Sequence, residues 1–281
     1  LVAPDDPQAV IDAIAAPTTH IVSFTVTEKG YLRRADGSLD LATAVGGPSL
    51  YRLMAAGLAA RKAAGLRGLT LLSCDNLANN GAVLRRLMRE YLAAYHSDLA
   101  AWFDGECTCP ATMIDRIVPA TTDADRAAVE TELGARDEGA VITEGFSQWV
   151  IEDDFAGPRP GWEAVGAELV ADVAPYETAK LRMLNGAHSA LAYIGLGRGH
   201  EYVHQAVADP EIRPLIERLM LDEAAPTITA APGQDLKAYA GALLDRFANP
   251  SLHHRLIQIA MDGSQKIPQR WLETLAWHQA R

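Results

Sequence analysis

The stretch Leu69–Asn76, LTLLSCDN, decides the fold class. Its first six residues form a short apolar run in which hydrophobic and polar residues do not alternate. Such runs are typical of strands that are buried on both faces of a parallel sheet. Asp75 and Asn76 follow the run directly, at the place where open α/β sheets bind their ligands. The stretch therefore predicts a buried strand that ends at a binding position, with Asn76 as the candidate residue.

The flanking segments predict how this strand is connected. Thr19–Thr27 (THIVSFTVT) is rich in β-branched residues and predicts a second buried strand. Ser49 is suited to cap a helix that runs to Ala64, and Gly65 is suited to end it. A long helix is predicted from Ala82 to Trp102 after the central strand. Alternating strands and helices predict a doubly wound α/β arrangement around a parallel sheet.

The character of the sequence changes at the loop FAGPRPG, residues 155–161. Two short strand-like runs between Ala140 and Ile151 precede the loop. Beyond it, almost all of the chain has a helical pattern, which places a domain boundary near residue 155. The predicted helices are Tyr176–Tyr193, Glu201–Ala208, Ile212–Ala224, Leu236–Phe247 and Ser251–Ala260.

Composition narrows the class of protein. The 281 residues carry a formal net charge of −11, and nucleic-acid or anionic-membrane binders need a basic surface. No run approaches the roughly 20 apolar residues of a membrane span. The cysteines Cys74, Cys107 and Cys109 are odd in number, which fits a reducing, cytoplasmic compartment. Cys107 and Cys109 stand too close in sequence for a usual zinc site, so no metal is predicted.

The candidate chemistry lies in the predicted helix that contains KLRMLNGAHSA, residues 180–190. Counting about 100° per residue, Asn185 lies about 140° and His188 about 80° from Lys180. Leu181 and Leu184 share that broad face, which indicates that it turns inward. Glu177 precedes Lys180 by three residues and therefore lies beside it.

These side chains suit the oxidation of a secondary alcohol by hydride transfer. The reaction needs a base for the hydroxyl proton and donors for the alkoxide-like oxygen. A lysine can serve as the base when burial lowers its pKa, and an asparagine amide can donate without changing charge.

The spacing Lys-x₄-Asn-x₂-His at Lys180, Asn185 and His188 resembles the signature of the polyol-specific long-chain dehydrogenases, the mannitol dehydrogenase family. Further motifs follow in the order typical of that family across nearly the whole chain. They are Thr25–Tyr31 (TVTEKGY), Ser73–Asn76 (SCDN), Asp115–Pro119 (DRIVP), Gln148–Phe155 (QWVIEDDF) and Asp262–Lys266 (DGSQK).

The resemblance implies a role for each matched residue. Lys180 would be the catalytic acid/base, Glu177 its proton relay, and Asn76 and Asn185 the pair that holds the reacting oxygen. His188 would bind substrate hydroxyls, as would Asp115 and Lys266. Val26, Thr27 and Asn76 would contact the cofactor, NAD or NADP. The implied substrate is a small polyol or sugar acid, in a mannitol/fructose-like or mannonate/fructuronate-like pair, and the oligomeric state stays open.

The resemblance also implies the domain organisation. Residues 1–155 would be the second half of a nucleotide-binding domain, and residues 156–281 a helical domain. The expected fold is thus α/β, a partial doubly wound (Rossmann-like) domain followed by an all-helical substrate domain, with the active site in the cleft between them. The Gly-rich phosphate loop of such domains is missing from the chain, because Gly195–Gly199 (GLGRG) follows a helix rather than a strand.

Two other hypotheses compete with a dehydrogenase. His200-Glu201-Tyr202-Val203-His204 matches the zincin pattern His-Glu-x-x-His, in which a helix presents two histidines to zinc. The segment begins directly after Gly199, where His200 could merely cap the helix. The second alternative is a catalytically silent fragment that acts as a helical interaction module.

Overall fold

In the computed structural model, which describes residues 5–281, the two predicted strands pair with each other. Strand β1 is Ile21–Phe24 and strand β2 is Thr70–Ser73, and they run parallel with Ile21 opposite Thr70. Every residue of β2 is buried, as its apolar run predicts. Strand β1 is shorter than the predicted Thr19–Thr27, because Thr27 adopts a left-handed backbone (φ 60°) and starts a helical turn.

A second, three-stranded sheet has the order β3–β4–β5, in which β4 and β5 run parallel. Its strands are β3 (Thr112–Asp115), β4 (Gln148–Glu152) and β5 (Ala167–Val170), and Trp149 of β4 lies opposite Ala167 of β5. Of the two strand-like runs predicted between Ala140 and Ile151, the second forms a strand. Strand β5 has no counterpart in the sequence prediction.

Helices pack against the strands of the first half. They are α1 (Pro7–Ala15), α2 (Thr27–Gly30), α3 (Leu41–Gly46), α4 (Leu50–Ala63), α5 (Asn80–Tyr95) and α6 (Ser97–Glu106). The Ser49 side chain caps α4 as predicted, accepting from the Arg52 N–H. The single helix predicted over Ala82–Trp102 is wrong, because the backbone of His96 leaves the helical region and splits it into α5 and α6. After this break, Leu99 and Phe103 of α6 are buried in the core.

Beyond residue 173 the chain is helical, as predicted, and one further helix that was not predicted, α7 (Asp123–Leu133), lies before the predicted boundary. The helices beyond residue 173 are α8 (Ala174–Ala179), α9 (Gly186–Gly197), α10 (Val203–Ala208), α11 (Ile212–Arg218), α12 (Leu236–Phe247), α13 (Leu256–Ala260), α14 (Gly263–Ile267) and α15 (Glu273–Gln279). The described residues include π-helical segments at Lys180–Asn185 and Pro268–Leu272, each joining two α-helices, and at Leu219–Ala224, which continues α11 into a 3₁₀ turn. Single 3₁₀ turns lie at Trp162–Val165 and Ala225–Thr227.

Two predicted helix starts need correction. The helix predicted from Glu201 begins at Val203, and the helix predicted from Ser251 begins at Leu256. Tyr202 and Arg255 form an antiparallel β-bridge in front of the two helices, which holds both residues in extended backbone. The prediction for Leu236–Phe247 is confirmed.

The contacts divide the chain into two compact units. The first comprises the chain up to Ile114 together with Gln148–Val173, and the second comprises Asp115–Ser147 and Ala174–Arg281. Each unit has its own hydrophobic core, with Leu71 and Phe103 fully buried in the first and Met183 and Leu243 in the second. The fold is thus α/β with a helical second part, and a domain boundary near residue 155 stays a prediction. Among the described residues, no helix is long and apolar enough to cross a membrane.

Candidate active site

The segment that carries the candidate chemistry is a π-helix. Lys180–Asn185 continues α8 into α9, and the Gly186 N–H donates to the carbonyl of Leu181, five residues earlier. Such segments are rare and occur often at functional sites. A π turn holds more residues than an α turn, so Asn185 lies closer to the Lys180 face than the 140° expected for an α-helix. The expected angle is therefore wrong for this pair, whereas the prediction of a continuous helix is confirmed.

Lys180 is half-buried, and burial lowers the pKa of its amine. The carboxylates of Asp115 and Glu177 oppose this lowering, while the guanidinium of Arg246 adds to it. Burial has the largest effect on this pKa. At a given pH, a larger fraction of the Lys180 amine is therefore neutral than in a surface lysine. Lys180, Glu177 and Asp115 are thus neighbours within the second unit.

A buried ion triad lies beside Lys180. Arg246 of α12 donates to both oxygens of Asp115 at 2.7 and 3.0 Å, and to both oxygens of Glu144 at 2.8 and 2.9 Å. The ring of Phe146 lies 4.0 Å from the guanidinium, and the Ile117 N–H also donates to Glu144. Burial opposes the charge of Arg246, but the two carboxylates outweigh it and raise its pKa.

The triad bears on the predicted role of Asp115. Both carboxylate oxygens already accept from Arg246, so the side chain is held in place as part of the core. Its substrate-binding role stays a prediction. Sequence reasoning missed Arg246 and Glu144, although an arginine among the buried residues Leu243, Leu244 and Phe247 of α12 was a readable signal.

His188 of α9 is buried and neutral. Its ring lies 4.6 Å from Phe247 and 5.3 Å, edge-on, from His254. Burial holds the pKa of His188 well below its usual range, with His254, Arg270 and Arg246 acting in the same direction. The Nε2 atom is buried and has no hydrogen-bond partner among the described residues. Buried polar atoms of folded proteins normally have a hydrogen-bond partner, and a hydroxyl group of a bound ligand would be one for this atom.

Asn185 and Lys266 lie near a further cation that the sequence analysis missed. Arg270 donates to the Asn185 carbonyl at 3.2 Å and to Ser189 Oγ at 2.7 Å. Lys266 donates to the carbonyl of Ile259 at 3.4 Å. Burial lowers the pKa of Lys266; Arg270 adds to this, and Asp262 opposes it. The substrate-binding role of Lys266 stays a prediction.

In the first unit, Asp75 organises the ends of β1 and β2. Its carboxylate accepts from the backbone N–H groups of Val26 (3.1 Å) and Thr27 (2.7 Å) and from the Tyr31 hydroxyl (3.0 Å). That hydroxyl also lies 2.5 Å from Ser73 Oγ. The Asp75 carboxylate thus fixes the backbone at the two predicted cofactor positions, Val26 and Thr27.

Asn76 is exposed three residues after the end of β2, close to the strand end that the sequence predicts. The next turn is held by Asn80, which is fully buried. The Asn80 amide donates to the carbonyls of Asp75 and Thr112 at 3.0 and 3.1 Å, and its oxygen accepts from the Thr112 N–H. Sequence reasoning missed Asn80, because an asparagine at a helix start resembles an ordinary capping residue.

The zincin pattern does not adopt a zincin helix. His200 precedes α10 and its Nε2 lies 3.0 Å from Asp209, while Glu201 pairs with Arg255 at 2.9 Å. Two histidines four residues apart face the same way only when both are on one helix, and here the helix begins at Val203. In the described part of the chain, no three histidine, cysteine or acidic side chains are grouped to hold a metal ion.

Two family models match the chain. Residues 1–164 match the mannitol dehydrogenase Rossmann domain, and residues 172–281 match the mannitol dehydrogenase C-terminal domain. The Rossmann model alone covers more than half of the chain.

Curated relatives and a solved structure agree with the models. An uncharacterized oxidoreductase of Escherichia coli (strain K12), YdfI, is 46% identical over 98% of this chain and 59% of its own length. The D-mannonate oxidoreductase of the same strain is 45% identical over 98% of the chain and 58% of its own length. The Pseudomonas fluorescens mannitol 2-dehydrogenase, solved with NAD and D-mannitol, is 37% identical and superposes with a TM-score of 0.87 over 100% of this chain and 59% of its own.

The chain therefore spans about three fifths of the length of the relatives that it matches. Within that span, the α/β first unit and the helical second unit accord with the two models. The chain belongs to the mannitol dehydrogenase family.

Proposed function

We propose that the protein containing this chain is a dehydrogenase that transfers a hydride between a nicotinamide cofactor and the carbinol carbon of a polyol or aldonate. Lys180 is the general acid/base of this proposal. The observation that carries it is the half-buried lysine on the π-helical segment, whose pKa is lowered by burial and which shares its helix with Asn185 and His188.

Lys180 takes the hydroxyl proton in the oxidation direction. A free lysine titrates near a pKa of about 10.4, so a surface amine would be charged and unable to accept a proton at neutral pH. Burial moves the amine toward its neutral form, and Arg246 helps. Glu177, one turn earlier, can pass the proton onward because its carboxylate lies beside the ammonium that forms.

The reacting oxygen needs neutral donors, which the amides of Asn185 and Asn76 supply. His188 is neutral and buried, so its imidazole can bond a substrate hydroxyl without adding charge. Asp115 and Lys266 are proposed as further substrate-binding residues. The role of Asp115 is supported by its fixed position beside Lys180.

The strand ends of the first unit fit a nicotinamide cofactor, NAD or NADP. Ligands of parallel α/β sheets bind at the carboxyl ends of the strands, and Val26, Thr27 and Asn76 lie there. The bonds to Asp75 keep the Val26 and Thr27 N–H groups occupied, which leaves their side chains for the cofactor. When bound, the cofactor supplies the hydride acceptor for alcohol oxidation.

The names of the relatives support one chemical class of substrate. One relative is named for D-mannonate, and the solved neighbour holds D-mannitol. Both compounds are straight chains of hydroxyl-bearing carbons, so we propose a hexitol or hexonate, paired with its keto product.

The cysteines support a reducing, cytoplasmic location in this proposal. Cys74, Cys107 and Cys109 are free thiols. Burial raises the pKa of Cys107 to about 11 and that of Cys109 to about 12, so both stay protonated and unreactive at neutral pH.

The deciding experiment replaces Lys180 in the full-length protein. Lys180→Ala should lower kcat for oxidation of the better substrate, D-mannitol or D-mannonate, by about 10²–10⁴-fold, the usual contribution of an acid/base group. In the wild type, the oxidation rate should rise with pH to a plateau, because the base must be neutral. The midpoint should lie below the pKa of a free lysine, since burial lowers it. The variant should lose that ionisation.

The matched control is Lys237→Ala, which removes an exposed lysine from helix α12 of the same unit. It should keep both the rate and the pH profile. Small primary amines should restore part of the rate to Lys180→Ala alone. A Lys180→Ala enzyme with the wild-type rate and pH profile would show that another group handles the proton.

A further inference from the structure

Three polar atoms near the triad are buried without hydrogen-bond partners among the described residues. They are His188 Nε2 on α9, Tyr239 Oη on α12 and His254 Nδ1 just before α13. Leaving such an atom unpaired costs about 1–3 kcal/mol, so native proteins seldom keep several of them together. Of the three, only His188 has a role predicted from the sequence.

The three side chains belong to one neighbourhood. His254 lies edge-on to His188 at 5.3 Å, and His188 lies 4.6 Å from Phe247 of α12. Tyr239 lies two turns before Phe247 on the same helix, α12. It is seven residues before Arg246 and therefore shares the helix face of the triad. Asp115 and Glu144 are close enough to Tyr239 for their charges to act on its hydroxyl, and Glu144 acts likewise on His254.

The three groups also share a charge state. Burial lowers the pKa of both imidazoles and raises that of the Tyr239 hydroxyl, so all three are neutral at physiological pH. A neutral imidazole and a phenol can each donate and accept one hydrogen bond or more. Sugar hydroxyls have the same dual capacity, whereas a carboxylate only accepts.

We propose that Tyr239 and His254 are substrate-binding residues that act together with His188 to recognise hydroxyl groups of the polyol or aldonate carbon chain. This inference rests on the proposed dehydrogenase function and adds two residues from separate elements to its substrate site. The three unpaired atoms are satisfied when the substrate hydroxyls bond to them.

Two substitutions that keep an aromatic side chain and remove its polar atoms test the inference in the full-length enzyme. Tyr239→Phe and His254→Phe should each raise KM for D-mannitol or D-mannonate by about fivefold to tenfold, the effect of one hydrogen bond, with kcat less affected. Tyr95→Phe and His253→Phe are the matched controls, because they remove the same atoms from exposed side chains. The controls should leave KM unchanged.

Thermal unfolding separates binding from a structural role. A hydroxyl that stabilises the fold lowers Tm when it is removed, whereas an unpaired one does not. Tyr239→Phe should therefore keep or raise the Tm of the ligand-free protein while it weakens substrate binding. A lowered Tm with an unchanged KM would overturn the inference for Tyr239.

Deoxy substrates identify the hydroxyl. Each variant should have a higher KM than the wild type for every substrate except the one deoxy-mannitol or deoxy-mannonate that lacks the contacted hydroxyl. With that substrate the two KM values should be equal, because the substitution and the deoxygenation remove the same hydrogen bond. Wild-type kinetics on all substrates in both variants would refute this inference while leaving the dehydrogenase proposal intact. A wild-type protein that oxidises neither D-mannitol nor D-mannonate would instead refute the proposed function.

Discussion

Asp75 in the first unit and His188 in the second are both buried polar groups, but their surroundings differ. The Asp75 carboxylate accepts from two backbone N–H groups and a tyrosine hydroxyl. His188 contacts the rings of Phe247 and His254, and its Nε2 has no hydrogen-bond partner in the described part of the chain. The bonds of Asp75 fix the backbone at Val26 and Thr27, whereas the Nε2 atom of His188 can still form a hydrogen bond to a ligand.

The difference predicts how each region responds to mutation. Where polar groups are paired inside the protein, removing one partner leaves the other buried and uncompensated, so stability falls. Where they are unpaired, removing one has little effect on stability and acts on binding. The second unit contains both kinds, since the paired Arg246 triad lies beside the unpaired imidazoles.

The largest expected effect is on stability, at Arg246. Arg246→Met leaves Asp115 and Glu144 as two buried carboxylates without their cation, which should lower the free energy of unfolding by about 3–5 kcal/mol. Urea unfolding measures the loss. The control Arg213→Met breaks an exposed pair with Glu217 on α11 and should change stability by about 0.3–0.5 kcal/mol. Equal losses in both variants would contradict a structural role for the buried triad.

The next effect is on turnover, at the two asparagines. In the full-length enzyme, Asn185→Ala should lower kcat by about 10²–10³-fold, the loss typical of one donor to a developing oxyanion. Asn76→Ala should behave alike, and cofactor affinity should change little in either variant. Steady-state kinetics with Asn249→Ala as control measures this. Near-normal kcat in both variants would make these residues structural turn and helix positions.

A smaller effect is expected at Asp75, where a substitution should change both the stability of the protein and its affinity for the cofactor. Asp75→Ala removes the acceptor shared by Val26, Thr27 and Tyr31, so it should lower the free energy of unfolding by about 1.5–3 kcal/mol. Because the same bonds fix the predicted cofactor positions, KM for the cofactor should rise as well. Asp36→Ala, at an exposed turn, is the control. A stable variant with weakened cofactor binding would mean that Asp75 contacts the cofactor rather than the backbone.

The smallest effect is expected at the zincin-like segment. His204→Ala should leave the oxidation rate unchanged, and so should treatment with a chelator, because Lys180 and the asparagines suffice for the proposed chemistry. Elemental analysis checks for bound zinc alongside the assay. One zinc per chain that is lost in His204→Ala together with activity would revive the hydrolase hypothesis.

Local features of this protein were readable from the sequence because neighbouring residues determine them. The apolar run at Leu69 formed a fully buried strand, Ser49 capped its helix, and Leu236–Phe247 was predicted with its observed bounds. The spacing that puts Lys180, Asn185 and His188 on one helix is likewise local, which is why the candidate site and the family could both be inferred.

Other features were decided by the tertiary structure, because they join residues that are distant in sequence. Arg246 finds Asp115 131 positions away and Glu144 102 positions away. The bridge between Tyr202 and Arg255 sets where two helices begin. No local period encodes these partners, or the approach of His254 to His188. Sequence by itself therefore determined strand β2, helix α12 and the helix that carries the lysine, because neighbouring residues fix them. Tertiary packing decided where other helices begin, which polar groups are paired and which are left for a ligand.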